Sequence, residues 1–372
     1  MESPSWSREE KWLSRDEAFK FVAKIGVLEG EELVDKHPLT FLNCVISGFM
    51  THIPFQSVSM IAVPESERCV PSLQEVVRLC VSLEGGVCFV LNTFMCILLR
   101  VVGFSAHILP GFYTANPNPH THAAVLVKHL RHTNDDYIVD VGSGFPFFEA
   151  VCVSKLPLTY HQAGLEFCYT RDKDTSTVAR HHRRGDQVPQ GEKSVMVGDW
   201  RRVFHFSLTP VDYEFFFLPM EYIYVSRESS FLNNVRAILF PPLEHGIRSG
   251  GVDYDTQTAT QTTTTTTNTT TINTTTTTTT NTTTTNTNAI NTEVGGGGGV
   301  VVRPQQQQQQ QKQQQREILA IVNQNLLQGP MHQIVKTKIE TQDWTEVIKH
   351  NFPNLPPAKV DAAVHTYLTS NI

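Results

Sequence analysis

The chain has 372 residues, 40% of them hydrophobic, and carries a formal net charge of −6. That length points to two or three domains, or one large domain with insertions, and the apolar share is enough for a sizeable core. The slight acidity argues against a nucleic-acid surface, and no apolar stretch approaches the roughly 20 residues of a membrane span.

The start, "MESPSWSREEKWLSRDEAF", is polar and acidic and has no apolar core of the kind a secretory signal needs, so a cytoplasmic protein is expected. The cysteines are Cys44, Cys69, Cys80, Cys88, Cys96, Cys152 and Cys168. Their number is odd and no CxxC pair occurs, so neither a disulfide framework nor a metal site is expected, and most read as small core residues.

From Ser14 to about Gly103 the pattern is helical. Ser14 with Glu17 and Ser72 with Glu75 read as capping boxes, each ahead of apolar residues at helical spacing. "FLNCVISGFM" reads as a helix halted near Pro54, and "CFVLNTFMCILLRVV" as a helix apolar nearly all round, hence buried, with Gly103 placed to end it. From Ser105 the period shortens. "SAHILPGFY", "THAAVLVKHL", "DYIVDVG", "LEFCYTR" and "RVFHFSLTP" read as strands separated by turn chemistry such as "NPNP" and "TNDD". Beyond Pro210, "MEYIYVS" and "NVRAILFPP" read as strands and "TQDWTEVIKHNF" as a helix. Residues from about 250 to 316 hold a Thr/Asn tract, five consecutive glycines and a glutamine run. Such a composition cannot bury enough apolar surface to offset its ordering entropy, so it reads as a disordered low-complexity insertion on a surface loop.

"EGGVCFVLN" places Cys88 straight after a glycine pair and straight before the apolar run. A cysteine in such a run is most often a buried core residue. Here the glycines let the backbone turn sharply, and a helix N-terminus favours a thiolate, so the sulfur is placed to be a nucleophile. A nucleophile needs a base, and the base an orienting group. His122 opens an alternating strand, with His120 on the same face if the strand extends that far. Asp140 follows the apolar strand "YIV" and precedes a glycine turn. Alone, such a histidine is usually an edge residue and such an aspartate a turn initiator. Together they supply the elements of a Cys–His–Asp triad.

At this point the sequence resembles a family. "PFQSVSM", "EGGVCFVLN", "GFSAHILPGFY", "THAAVLV" and "YIVDVGSG", in this order, are similar to blocks of the arylamine N-acetyltransferases, which typically show PFENL, RGGWC or RGGYC followed by Asn, a T-H strand, and DVGFG or DAGFG. The resemblance covers about residues 14 to 250, and the tail from about 317 looks like the family's C-terminal strands and final helix. It implies an α+β fold: an N-terminal helical bundle, an antiparallel β-barrel and a C-terminal α/β lid on a cysteine-protease-like core. On this chain those are residues 1–104 carrying the nucleophile, 105–210 carrying the His and Asp, and 211–372 interrupted by the insertion. It also implies a catalytic triad of Cys88, His122 and Asp140, acetyl-CoA as acyl donor, no metal, and an arylamine or hydrazine as small-molecule acceptor, with neither nucleic acid nor membrane as partner.

The chain departs from the family pattern at several positions. Glu84 stands where the family has Arg, and Gln56 where it has Glu, so an amide–carboxylate hydrogen bond between them is expected in place of an ion pair. Val87 and Ser143 replace aromatic residues and so remove aromatic walls from the acceptor pocket the resemblance implies, which suggests a different or wider substrate range. The serine-rich segment near the CoA phosphates becomes "VSRESSF", keeping Ser226, Ser229 and Ser230 but adding Glu228 and, beside it, Arg227. The resemblance assigns CoA binding to Thr121, Ser226 and Ser229. Other readings of the same triad are an amide synthase-like enzyme or a transferase of another acyl-CoA, a thiol hydrolase of papain or transglutaminase type, and a non-catalytic interaction scaffold.

Overall fold

The computed structural model describes residues 12–114, 121–172, 176–183, 195–242, 316–331 and 333–370. The chain divides into two units, Met1–Leu243 with Gln306–Ile372, and Glu244–Gln305. Every described residue lies in the first unit. The expected insertion at about 250–316 falls outside the described residues except for Arg316, as does His120.

Local chemistry sets the helix boundaries. Helix α1 (Arg15–Lys24) opens on a complete capping box: the Ser14 hydroxyl accepts from the Glu17 N–H, and the Glu17 carboxylate accepts from the Ser14 N–H at 2.8 Å. After α2 (Gly30–Lys36), Pro38 occupies the first turn of α3 (Pro38–His52), where its missing N–H costs nothing. A short α4 (Val58–Ile61) follows. At α5 (Leu73–Val81) Ser72 caps the Glu75 N–H, but the Glu75 carboxylate turns to Arg78 at 2.7 Å, so only half of the expected box forms. Helix α6 (Cys88–Val101) is buried at nearly every position, as its uniformly apolar sequence requires.

Two antiparallel sheets take up the strands. The larger contains β2 (Ser105–Tyr113), β3 (His122–Lys128), β4 (Tyr137–Val139), β5 (Val151–Cys152), β6 (Leu158–Gln162), β7 (Leu165–Arg171), β8 (Thr177–Arg183), β9 (Val195–Val197) and β10 (Trp200–Ser207), in the order β5-β4-β3-β2-β10-β8-β7-β6 with β9 on β10. Its edge strands β5 and β6 do not pair with each other among the described residues, so the antiparallel barrel expected takes the form of a curled half-barrel. The smaller sheet runs β1-β11-β12-β13-β14. It joins β1 (Phe55–Gln56), from the helical N-terminal region, to β11 (Arg236–Leu239), β12 (Glu317–Val322), β13 (Asn325–Pro330) and β14 (Val335–Lys338).

"MEYIYVS" is not a strand but the body of helix α7 (Phe217–Val225). Met220, Ile223 and Tyr224 are buried at helical spacing, and Pro219 sits in the first turn, where a helix tolerates it. Tertiary burial overrides the β preference of Tyr, Ile and Val there. The tail forms helices Trp344–Asn351 and Pro357–Ser370. One buried cluster packs α1, α3, α5 and α6 on the half-barrel. A second gathers Val58, Ile61, Ala237, Ile321, Trp344 and Val360 on the smaller sheet. No described helix is long and apolar enough to cross a membrane.

Candidate active site

The nucleophile position is built by backbone geometry. Gly85 adopts φ +77°, and a Cβ there would lie 2.1 Å from the Pro54 carbonyl oxygen, so only glycine fits. Val87 is extended (φ −87°, ψ 178°) and α6 begins at Cys88 with no side-chain cap. The first N–H groups of a helix have no acceptor within it, so they are available to a negative group beside the sulfur. The Cys88 thiol lies 3.8 Å from the Thr121 carbonyl oxygen.

His122 is the first residue of β3, opposite Gly111 of β2. Its Nε2 lies 3.0 Å from Asp140 Oδ2, both side chains being almost wholly buried. With Nε2 so committed, Nδ1 is the ring nitrogen left for Cys88, whose side chain is close enough to raise the imidazole pKa. The rings of Phe204 and Phe206 stand 4.6 and 5.8 Å from that of His122 and shield it from water.

Asp140 follows β4 directly. Its Oδ1 accepts from Asn92 Nδ2 at 3.0 Å and from the Gly142 N–H at 3.3 Å. Asn92 lies one helical turn after Cys88. It also donates to the Ala123 carbonyl at 2.6 Å and accepts from the Val141 N–H at 3.0 Å. One amide thus ties the nucleophile's helix to the strands that carry the histidine and the aspartate. Gly142 completes the arrangement: a Cβ there would meet Asn92 Nδ2 at 2.6 Å and Cys88 Cα at 2.7 Å.

The electrostatics follow from burial and pairing. Burial alone would lower the His122 pKa. The Asp140 carboxylate, its hydrogen bond and Cys88 outweigh it and push the value up to about 10. Burial opposes ionisation of Asp140 too, but His122, then Arg180 and Asn92, hold its carboxyl below the usual range. At neutral pH the pair is imidazolium and carboxylate.

The structure brings Cys88, His122 and Asp140 into one cluster with Thr121 against it, while the hydroxyls of Ser226 and Ser229 bond within their own segment. The Thr121 carbonyl touches the sulfur, while its hydroxyl is buried. Ser226 Oγ accepts from the Glu228 N–H. Ser229 is fully buried, its hydroxyl donating to the Ile223 carbonyl at 2.7 Å and accepting from the Phe231 N–H. Arg227 pairs with Glu65 and not with Glu228. Gln56 and Glu84 do not share the direct hydrogen bond expected between their side chains. Ser59 bridges them, its hydroxyl receiving from Gln56 Nε2 at 2.8 Å and donating to Glu84 Oε1 at 2.6 Å.

Two further residues belong to the site. Asn92 lies within "EGGVCFVLN", and its position one turn beyond Cys88 is the signal that marks it. Arg180, in β8, is fully buried and donates to Ser143 Oγ at 3.1 Å and to the Pro146 carbonyl at 3.3 Å. Nothing in "TVARHHR" signals that Val178, Arg180 and His182 are fully buried on β8.

The N-acetyltransferase family model matches residues 38–281. No curated protein matches the chain. The fold is similar to that of the arylamine N-acetyltransferase from Mycobacterium abscessus (TM-score 0.59, 13% identity, 99% of each chain covered). It is similar also to arylamine N-acetyltransferase C from Bacillus anthracis (TM-score 0.55, 15% identity, 91% of this chain and 98% of that one). A third similar structure is the Mycobacterium marinum arylamine N-acetyltransferase in complex with CoA (TM-score 0.56, 12% identity, 88% of this chain and 92% of that one).

Proposed function

The chain belongs to the arylamine N-acetyltransferase family, and from that premise we propose that it carries an acetyl group from acetyl-CoA to an arylamine or arylhydrazine nitrogen through a thioester on Cys88. Family membership makes it an enzyme of acetyl transfer. The observation that supports the route is the buried cluster of Cys88, His122 and Asp140, with the histidine and aspartate hydrogen-bonded at 3.0 Å and the cysteine at a helix N-terminus without a side-chain cap.

In this reading the Cys88 thiolate attacks the acetyl carbonyl carbon. The oxygen that gains charge meets the free N–H groups of the first turn of α6. The carbon–sulfur bond to CoA then breaks, and the departing thiolate takes the proton held by the His122 imidazolium. Exchange of one thioester for another is nearly even in energy, so the activated acyl group is preserved. An amine nitrogen next attacks the Cys88 thioester and gives its proton to the now neutral His122. Cys88 leaves as thiolate, stabilised by the imidazolium so formed. Asp140 keeps the ring oriented and offsets its charge in both half-reactions. The order is ping-pong, because the free coenzyme departs before the amine reacts.

In this reading the described residues 211–242, 316–331 and 333–370 serve as the lid over this site. Thr121 and Ser226 are the donor contacts we favour; the Ser229 hydroxyl is committed to its own turn and shapes the segment from within. The CoA complex of the Mycobacterium marinum protein supports the class of donor.

Intact-mass spectrometry with acetyl-CoA and no amine is the test. One acetyl group should appear on Cys88, an arylamine should remove it as the amide, and Cys88→Ser should remain unlabelled. Label on Cys80 or Cys96, or label that persists in Cys88→Ser, rejects the assignment. Labelling by other acyl-CoAs alone would move the donor class, and peptide hydrolysis would point to a thiol hydrolase.

A further inference from the structure

We infer that Arg180 is a positioning residue for the reaction: from the half-barrel interior it pins the turn that follows Asp140 and supplies the fourth charge of the buried site. The inference rests on the thiolate–imidazolium reading of Cys88 and His122 given above.

The geometry comes first. Arg180 is fully buried on β8, yet no carboxylate lies within ion-pair distance of it among the described residues. Its two terminal nitrogens donate instead to Ser143 Oγ and the Pro146 carbonyl, three and six residues beyond Asp140. Its guanidinium carbon also stands 5.9 Å from the Tyr169 ring centroid on β7. The guanidinium carbon stands 4.4 Å from the Phe167 ring centroid and 5.6 Å from that of Phe145. A planar fork held between two rings and gripping both ends of one turn restrains that turn strongly. The turn carries Gly142, whose N–H binds Asp140, and Phe145, whose ring packs near Phe204 beside His122.

The charges come second. A buried guanidinium without a direct anion is costly and is weak evidence for a role in stability. The groups facing Asp140 are His122 from β3, Asn92 from α6, Tyr169 from β7 and Arg180 from β8, and those facing Cys88 are His122 and, from α7, Tyr224, which burial keeps a phenol. His182, two residues along β8, remains neutral because burial and then Arg180 lower its pKa. Tyr169 remains a phenol because burial raises its own. In the reactive form the site therefore holds Cys88 negative, His122 positive and Asp140 negative, an excess of one negative charge in a water-poor interior. Arg180 brings the sum to zero. The Arg180 charge lowers the Asp140 pKa, in keeping with that role. Ser143, which stands where the family has Phe, gives the guanidinium its hydroxyl acceptor.

The test is the pH profile of Cys88 alkylation by iodoacetamide on the full chain, read by intact mass, alongside acetyl-CoA acylation. Arg180→Met should move the acid limb of alkylation upward by about one pH unit, because the carboxylate and thiolate lose a neighbouring cation. Arg180→Lys restores the charge but not the fork: its acid limb should return to that of the parent while the plateau rate stays low. Ser143→Ala removes one hydrogen bond at a half-buried turn position and carries the test if Arg180→Met does not fold. Its plateau should fall about fivefold with the acid limb unmoved. An Arg180→Met limb that coincides with the parent's, or a Ser143→Ala plateau equal to it, overturns the inference. Alkylation needs no acyl donor, so shifts that hold in a protein inert to acetyl-CoA would reject the proposed reaction and leave the role of Arg180 standing.

Discussion

Lys359, in the C-terminal helix, ion-pairs with the buried carboxylate of Glu84, four residues ahead of Cys88. Arg78 reaches the other oxygen, Oε2, at 3.3 Å, and Ser59 donates at 2.6 Å to Oε1, the oxygen that Lys359 holds. A negative charge at this position, where the family has a positive one, is thus answered by two cations from separate helices. The pair ties the end of the chain to the loop that aims the nucleophile.

Lys359→Ala should destabilise the protein by about 1–2 kcal/mol, less than a fully buried pair would cost because Lys359 is partly exposed and Arg78 remains. Glu84→Gln in the same chain should recover part of that loss, since no unpaired buried charge is then left. Urea unfolding of the two single variants and the double variant forms a cycle that checks this. Strictly additive effects would mean that the pair carries no coupling.

Gly142→Ala should be far more damaging to catalysis than its size suggests. The added methyl would overlap Asn92 Nδ2 and Cys88 Cα, so either the first turn of α6 or the Asp140 turn must move. Displacement of about 1 Å at a reacting group costs on the order of a hundredfold in rate, and overpacking costs roughly 1–3 kcal/mol in stability. Single-turnover acylation and a thermal melt report the two effects separately. A variant that melts lower but acylates at the parent rate would show that the turn does not hold the nucleophile in register.

These contacts mark where the sequence is legible and where it is not. The Gly-Gly turn before an apolar run locates the start of α6, and β2 spans the whole of "SAHILPGFY". His122 and Asp140 stand at strand ends because the alternation stops there, so their meeting follows from local signals plus the pairing of β3 with β4. Lys359 carries no such signal. It is an ordinary helix lysine whose partner lies 275 residues away. Arg180 is hidden for a related reason: strand periodicity tells which residues share a face, but a basic strand looks solvated until its neighbours are in place. Helix α7 misleads through composition, since Tyr, Ile and Val favour a strand until packing decides.

Asn92 offers a sharper test of the hydrogen-bond network. Asn92→Ala would leave the Ala123 carbonyl and the Val141 N–H without their buried partner and remove one of the two bonds to Asp140 Oδ1. Two unsatisfied buried groups predict a loss of about 2–4 kcal/mol. Asn92→Asp keeps the shape but sets a second carboxylate beside Asp140. Repulsion then raises the Asp140 pKa, and the acid limb of acylation should move to higher pH. A limb that stays in place would show that Asp140 does not govern it.

The His122–Asp140 pair should also write itself into the pH dependence of stability. The folded pKa of His122 is raised from 6.5 to about 10, so its contribution is fully present below the unfolded value and is lost as pH rises through about 10. The Asp140 value is lowered from 3.8, so its contribution is present above that value and is lost as pH falls through the lower folded one. Both terms act together between about pH 4 and 6.5. In Asp140→Asn the imidazole keeps its burial and loses its counter-charge, so protonating it now costs stability. The difference in Tm between parent and Asp140→Asn should therefore be largest near pH 5 and shrink steadily toward pH 10. Melts across that range check the sign directly. A difference that is flat with pH, or that grows toward the alkaline end, would mean that His122 is neutral in the resting protein, and the thiolate–imidazolium step would have to be abandoned.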